Sequence, residues 1–226
     1  MTTSETYSFS PPIGALALNA FARCGVRRTM LTTQHMDDAY LETNLMQSDW
    51  AADGIMWWTV LRVDQPLTAG SPTYAIPTNT VSVLDVYINP GSGGSNRLIL
   101  PFSRTDYSSL AEPLQEGFPT SFWYDRALVP TITLWPVPDA STTYTMSYYI
   151  YTQIQDANLR GGGQAAIPYW WYNAYVADLA HRLSRIYAPA LEPRREMDRD
   201  KAYNRACKQV EPAYMYINPG LAGYYR

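Results

Sequence analysis

Apolar residues along this chain fall into two rhythms. Through residues 13–24 they recur at three-and-four spacing, with Ile13, Leu16, Ala17, Ala20, Phe21 and Cys24 on one side. Pro11 and Pro12 precede this run and Gly25 follows it, signals that open and close a helix. Thr32 or Thr33 is placed to cap a second helix running to about Asp53, before Gly54. Its apolar set, Met36, Tyr40, Leu41, Leu45, Met46 and Trp50, is expected on one face. Asp37 and Asp38 lie in its first turn, where the helix dipole favours negative charge.

The rhythm changes at Trp57. Runs at 57–63, 74–76, 80–88, 97–101, 121–124, 131–135 and 144–151 are short and rich in Val, Ile, Thr, Tyr and Trp. Gly, Pro, Asn and Ser clusters separate them, which predicts a small antiparallel β domain. Pro136, Pro138 and Asp139 predict a turn between two strands, the Gly/Ser stretch 91–95 a long hairpin tip, and residues 107–116 a short inserted helix.

The segment 160–163 (Arg-Gly-Gly-Gly) marks a boundary, after which Pro168 opens a third helix reaching about Ala188. Trp171, Tyr175, Leu179, Leu183 and Ile186 form one stripe on it, and Trp170, Ala174, Ala177 and Ala180 form a second. A helix apolar over so much of its circumference belongs at the centre of a bundle. Pro193 opens a fourth, charged helix to about Glu211, whose apolar side is only Ala202, Tyr203, Ala206, Cys207 and Val210. The predicted class is α+β: a four-helix unit (12–56 and 165–211) with an inserted antiparallel β domain (57–160). A polar arm (1–11) precedes it and an extended tail (212–226) follows. The two helical pairs are expected to meet, since neither buries its stripe alone.

Composition sharpens this picture. Of 226 residues, 14% are aromatic and only 16% charged, against roughly 25% charged in ordinary soluble domains. So many aromatic and so few charged residues exclude intrinsic disorder and imply a large core, a partner surface, or both. The formal net charge of −3 excludes a globally basic nucleic-acid grip. The charge is uneven: residues 1–150 carry 7 Arg against 13 Asp/Glu, net −6, and residues 151–226 carry 10 Arg/Lys against 7, net +3. Arg outnumbers Lys 15 to 2. Codon usage accounts for that skew, or else a head-to-tail ring in which an acidic face meets an Arg-rich one; the candidate subunit-interface residues are Arg194, Arg195, Asp198, Arg199 and Arg205. Cys24 and Cys207 fit no metal or redox spacing and read as small buried thiols. The first ten residues lack the basic and apolar stretches of a signal peptide, and the least polar stretch, 165–180, is too short and polar to span a bilayer, so a soluble, unsecreted protein is expected, without membrane contact.

Candidate chemistry is sparse. No HExxH, Walker, GxGxxG or GxSxG pattern occurs, so no catalytic residue, cofactor or metal is expected. Glu112 and Glu116 are four apart and would face one another on a helical turn; a muramidase would need such a carboxylate pair. Asp125 and Asp139 fall near strand ends. The exposed aromatics of the β domain leave a carbohydrate-binding or tail-tube module as a further alternative. The most informative segment is the tail, which is nearly uncharged and rich in tyrosine. Tyr214, Met215, Tyr216, Ile217, Leu221, Tyr224, Tyr225 and Arg226 suit a strap that orders against a partner.

Several local patterns converge on one family. They are Phe118-Pro119-Thr120-Ser121-Phe122-Trp123-Tyr124-Asp125, then Thr131-Ile132-Thr133-Leu134-Trp135-Pro136-Val137-Pro138-Asp139, the strand at 144–151, and the helix opened by Ile167-Pro168-Tyr169-Trp170-Trp171. With the N-terminal helix ending in Cys24-Gly25-Val26, the chain resembles the head-to-tail adaptor (connector, tail accessory) proteins of short-tailed bacteriophages, the family that includes tail tubular protein A. The likeness spans roughly residues 12–210. It implies a non-enzymatic ring, usually of twelve copies, in the neck of a virion and assembled in the host cytoplasm. The ring would sit beneath the portal protein, hold a tail nozzle or tail-tube protein below, and let double-stranded DNA cross its lumen without specific binding. The helical parts would pack copy to copy, the C-terminal tail would wrap the portal, and the β domain would face the tail. An acidic lumen, drawn from the net −6 of residues 1–150, would repel phosphate.

Overall fold

The computed structural model describes residues 9–54, 57–91, 94–159 and 162–210. In chain order these form α1 (Ile13–Arg23), α2 (Thr33–Ala52), β1 (Val60–Pro66), β2 (Thr73–Ala75), β3 (Thr80–Asn89), β4 (Arg97–Pro101), α3 (Arg104–Ser108), β5 (Glu116–Gly117), β6 (Ser121–Asp125), β7 (Thr131–Trp135), β8 (Val137–Pro138), β9 (Thr145–Thr152), α4 (Tyr172–Tyr187) and α5 (Glu192–Val210). The class is α+β. The chain divides into two compact units: a helical unit of residues up to Met46 and from Ala157 onward, and a β unit over Gln47–Asp156.

In the helical unit, α1 ends as its sequence dictates. Gly25 takes φ +80°, and the Val26 and Gly25 amides donate to the Phe21 and Ala22 carbonyls at 3.1 Å each. That is the six-to-one, five-to-two closure that glycine permits without Cβ strain. Thr32 caps α2: its hydroxyl accepts from the His35 amide (3.5 Å), and the Thr32 amide donates to His35 Nδ1 (3.3 Å). The imidazole thus stands where a capping box carries Glu or Gln. It also stacks on Tyr187, with centroids 4.4 Å apart.

The centre of this unit is α4, packed against both α1 and α5. Tyr175, Leu179, Ala180 and Leu183 are fully buried; a leucine so enclosed contributes about 1.5–3 kcal/mol. Small residues (Ala17 and Ala20 on α1, Ala177 and Ala180 on α4, Ala202 and Ala206 on α5) are also buried. They let backbones approach closely enough for the Cys24 thiol to donate to the Ala180 carbonyl at 3.2 Å. Side-chain bonds join α4 to α2: Tyr175 to Thr43 at 3.4 Å, Tyr187 to Asp38, and Arg182 to Glu42 at 3.8 Å.

Three expectations for these helices are corrected. On α2 the buried ridge is Ala39, Thr43 and Met46, while Tyr40, Leu41 and Leu45 point outward, 45–56% exposed. Met46 and Trp50 are buried as expected, but Ala39 and Thr43 fill the rest of the contact and leave Tyr40, Leu41 and Leu45 on the outer side. Trp170 is 39% exposed rather than in the helical core, because Tyr169–Trp171 is a 3-10 turn whose tighter winding carries residue 170 off the stripe. Ile186, in the last turn of α4, is also exposed. Neither cysteine is in a disulfide; Cys24 is buried and Cys207 half-buried.

The β unit is built on a curled seven-stranded sheet of order β1-β9-β3-β4-β6-β7-β2, with β5 and β8 as a separate pair. Its core follows the two-residue period: Val86 and Ile88 on β3, Ile132 and Leu134 on β7, and Met146, Tyr148 and Ile150 on β9 turn to one side. The sheet is not purely antiparallel, contrary to expectation. β4 pairs antiparallel with β3 over Arg97–Ile99 and then parallel with β6 over Leu100–Pro101; β5 and β8 are also parallel. Thus β4 changes partner midway and joins two antiparallel groups into one surface. The predicted helix at 107–116 is instead the five-residue α3, which ends before Ser109 and is closed at its start by a Ser103–Asp106 capping box.

Candidate functional site

The features that set this chain apart are surfaces. The first is a cleft of about 330 Å³ in the helical unit, lined by Arg23 of α1, Asn173 of α4, and Arg195, Asp198, Lys201 and Arg205 of α5. Three of its four cations, Arg195, Lys201 and Arg205, come with Asp198 from one helical face of α5, where residues 195, 198, 201 and 205 recur at three-and-four spacing; the fourth, Arg23, is at the C-terminal end of α1. Arg23 donates to two neutral amides, Asn19 and Asn173, at 3.2 Å each. Burial first, and then the nearby Arg195 charge, push its guanidinium below its ordinary pKa. Arg195 is 15% exposed and donates to Asp198 at 2.9 Å, while its Nε is buried without a partner. Lys201 and Arg205 make no ion pair among the described residues.

Further along α4 lies a buried polar cluster. The His181 side chain is 1% exposed, its Nε2 3.4 Å from Arg185 Nη2 and 3.8 Å from Glu192. Its Nδ1 has no partner. Burial, then the Arg185 and Arg199 charges, lower the imidazole pKa and keep it neutral. Asp178, also buried, receives Arg182 at 3.4 Å. Between elements, His181 approaches Glu192 of α5 and Arg182 approaches Glu42 of α2.

Two surfaces are apolar. The exposed side of α2 shares a groove of about 240 Å³ with Leu159, lined by Met36 and Tyr40. In the β unit, the β6–β7 hairpin ends in Arg126-Ala127-Leu128-Val129-Pro130. Leu128 is 98% exposed and Val129 60%. The tip stands on a firm base: five paired positions from Ser121↔Trp135 to Asp125↔Thr131, a buried Pro130 whose carbonyl accepts from Ile76 N at 3.1 Å, and the Arg126 guanidinium 5.7 Å over the Tyr124 ring.

Carboxylates take structural places. Glu112 lies outside any helix and Glu116 is in β5, so they do not face one another across a helical turn as the spacing suggested. Asp139 anchors the turn before β9, accepting from Ser141 N (3.0 Å), Ser141 Oγ (2.5 Å) and Tyr144 OH (3.0 Å). The Ser141 bonds hold it below the usual carboxylate range. Among the described residues no three His, Cys, Asp or Glu gather as metal ligands, and no helix is long and apolar enough to cross a membrane.

Of the residues singled out from sequence, Arg194, Arg195, Asp198, Arg199 and Arg205 all lie on α5. Only Arg195, Asp198 and Arg205 line the cleft, while Arg199 pairs with Asp200 at 2.6 Å. Sequence reading missed Arg23, Asn173 and Lys201, which only the α1–α4–α5 packing brings together, and it missed the hairpin tip. Its signal was present: three successive apolar residues at 127–129 between two strands. Tyr214, Met215, Tyr216, Ile217, Leu221, Tyr224, Tyr225 and Arg226 lie outside the described residues.

The profile of the SU10 adaptor protein family matches residues 28–220. No curated protein matches the sequence.

Proposed function

The chain belongs to the SU10 adaptor protein family, a family of phage head-to-tail adaptors, and from that premise we propose that it is a structural, non-enzymatic ring component in the neck of a short-tailed phage. Family membership implies a virion protein that oligomerises and meets portal and tail proteins. The match over residues 28–220 is the observation that carries the reading. In it, twelve copies close into a ring through one repeated heterologous interface, so closure depends on the geometry of that interface. The four longer helices act as a unit (12–56 and 165–211) into which the β domain (57–160) is inserted, after a polar arm at 1–11. Residues 212–226 form the strap to the portal, and the β domain turns its Ala127–Pro130 tip toward the tail nozzle or tube. DNA passes through an acidic lumen, and the ring assembles in the host cytoplasm before joining the virion.

The test is mass measurement and class averaging of the purified protein with and without its portal. A ring that caps the portal is expected; a protein that stays monomeric in both conditions refutes the reading. Deleting residues 212–226 is expected to abolish portal attachment while leaving the circular dichroism unchanged. A density map with Arg-rich lumen walls would overturn the acidic channel.

A further inference from the structure

The cleft between α1, α4 and α5 brings four cations around one carboxylate. Lys201 and Arg205 are exposed and Arg23 and Arg195 only partly buried, so like charges gathered here repel, less than in an interior but enough to favour an anion among them. Arg23 is partly desolvated yet bonded only to amides. Arg195 keeps one buried N–H unused, and Lys201 and Arg205 have no ion-pair partner among the described residues. A guanidinium fork matches a carboxylate in plane, and the cleft offers one beside Lys201, a point charge.

We infer that this cleft is a carboxylate receptor, filled by an acidic side chain from the β unit of a second copy of the chain. The inference rests on the ring reading above and names the chemistry of its contact. Charge complementarity selects the occupant. The β unit, 47–156, carries ten Asp/Glu against four Arg, net −6; the helical unit carries thirteen Arg/Lys against ten Asp/Glu, net +3. In the β unit Asp85, Glu112 and Glu116 are exposed and make no ion pair among the described residues. A phosphate backbone fits less well. It runs past as a line of charges and favours a long basic stripe, whereas these four cations gather in one cleft.

The sequence supplies its own reporter: Lys201 and Lys208 are the only lysines. A zero-length carbodiimide joins an amine to a carboxylate only where the two touch. Rings assembled from mixed ¹⁴N- and ¹⁵N-labelled full-length protein are expected to yield mixed-isotope peptides linking Lys201 to an Asp or Glu within 47–156. Rings in which Lys201 links only within its own chain, only to portal or tail proteins, or to nothing overturn the inference and leave the adaptor reading standing. Absence of any ring, with or without portal, counts against the adaptor reading itself. R23Q/R205Q is expected to raise the assembly dissociation constant at least tenfold, with R28Q outside the cleft unchanged. The wild-type crosslink decides the matter should R23Q/R205Q not fold. A DNA duplex that blocks the wild-type crosslink, and binds wild type but not R23Q/R205Q, would reassign the cleft to phosphate.

Discussion

Replacing Leu128 and Val129 together by Ser probes the β6–β7 tip where fold and assembly separate. Leu128 is 98% exposed and Val129 60%, so the folded subunit gains almost nothing from either. Surface changes of this kind stay within about ±0.5 kcal/mol. If the tip seats in a tail protein, both side chains leave water on binding. Full burial of a Leu is worth about 1.5–3 kcal/mol, and Val129 starts partly covered, so its share is smaller. Because five paired positions and a buried Pro130 already hold the tip, little ordering entropy is subtracted. A net loss of about 2–4 kcal/mol is expected, or roughly 30- to 700-fold in affinity at about 1.4 kcal/mol per decade. Biolayer interferometry of the adaptor–portal complex against the purified tail component reads that loss, and thermal unfolding of the same variant checks that the melting temperature is held. Tail affinity unchanged within twofold refutes the assignment of the tip. A fall of several degrees in melting temperature refutes the premise that the tip is uninvolved in folding.

Other substitutions report on the interior. Gly91 has φ +64° and an added Cβ would lie 2.8 Å from the Thr143 carbonyl oxygen, so Gly91→Ala is expected to cost about 2–3 kcal/mol from left-handed strain plus clash. Gly25→Ala shares the left-handed backbone but meets nothing within 4 Å, and is expected to cost about 1–2 kcal/mol; denaturant melts of both separate the two contributions. His181 has its folded pKa lowered, so protonation favours the unfolded chain. Stability is present above the unfolded value near 6.5 and is lost as pH falls toward the folded one. Urea melts between pH 7.5 and 5 should show that slope, and His181→Gln should flatten it; an unchanged slope contradicts the buried neutral imidazole.

Much of this architecture was legible because local signals and global packing agree. Gly25 closes α1, Thr32 opens α2, and the Trp171-Tyr175-Leu179-Leu183 stripe of α4 is buried. What escaped reading is what no local signal encodes. Of the predicted inward face of α2, Met46 and Trp50 are buried, yet Tyr40, Leu41 and Leu45 look outward because the rest of the contact uses Ala39 and Thr43; periodicity counts apolar groups and does not see close approach. The parallel step from β4 to β6 depends on a crossover, and short strands carry no mark of direction. On α5, charge was plain in the sequence, but Arg23 lies more than 170 positions from Arg195 and Arg205, and only the folded helices show that these cations share one cleft.

The strand β4 carries a mechanical consequence. It meets β6 through two paired positions, whereas β1 and β9 share seven. Tension applied across the sheet runs in series through every strand, and the joint with the fewest hydrogen bonds gives way first. Under such a load the sheet would therefore open along the β4–β6 seam. The β1-β9-β3 group would part from the β6-β7-β2 group, with each remaining paired. The seam is the weakest joint of the sheet, and its place in the strand order fixes which strands stay together when it opens.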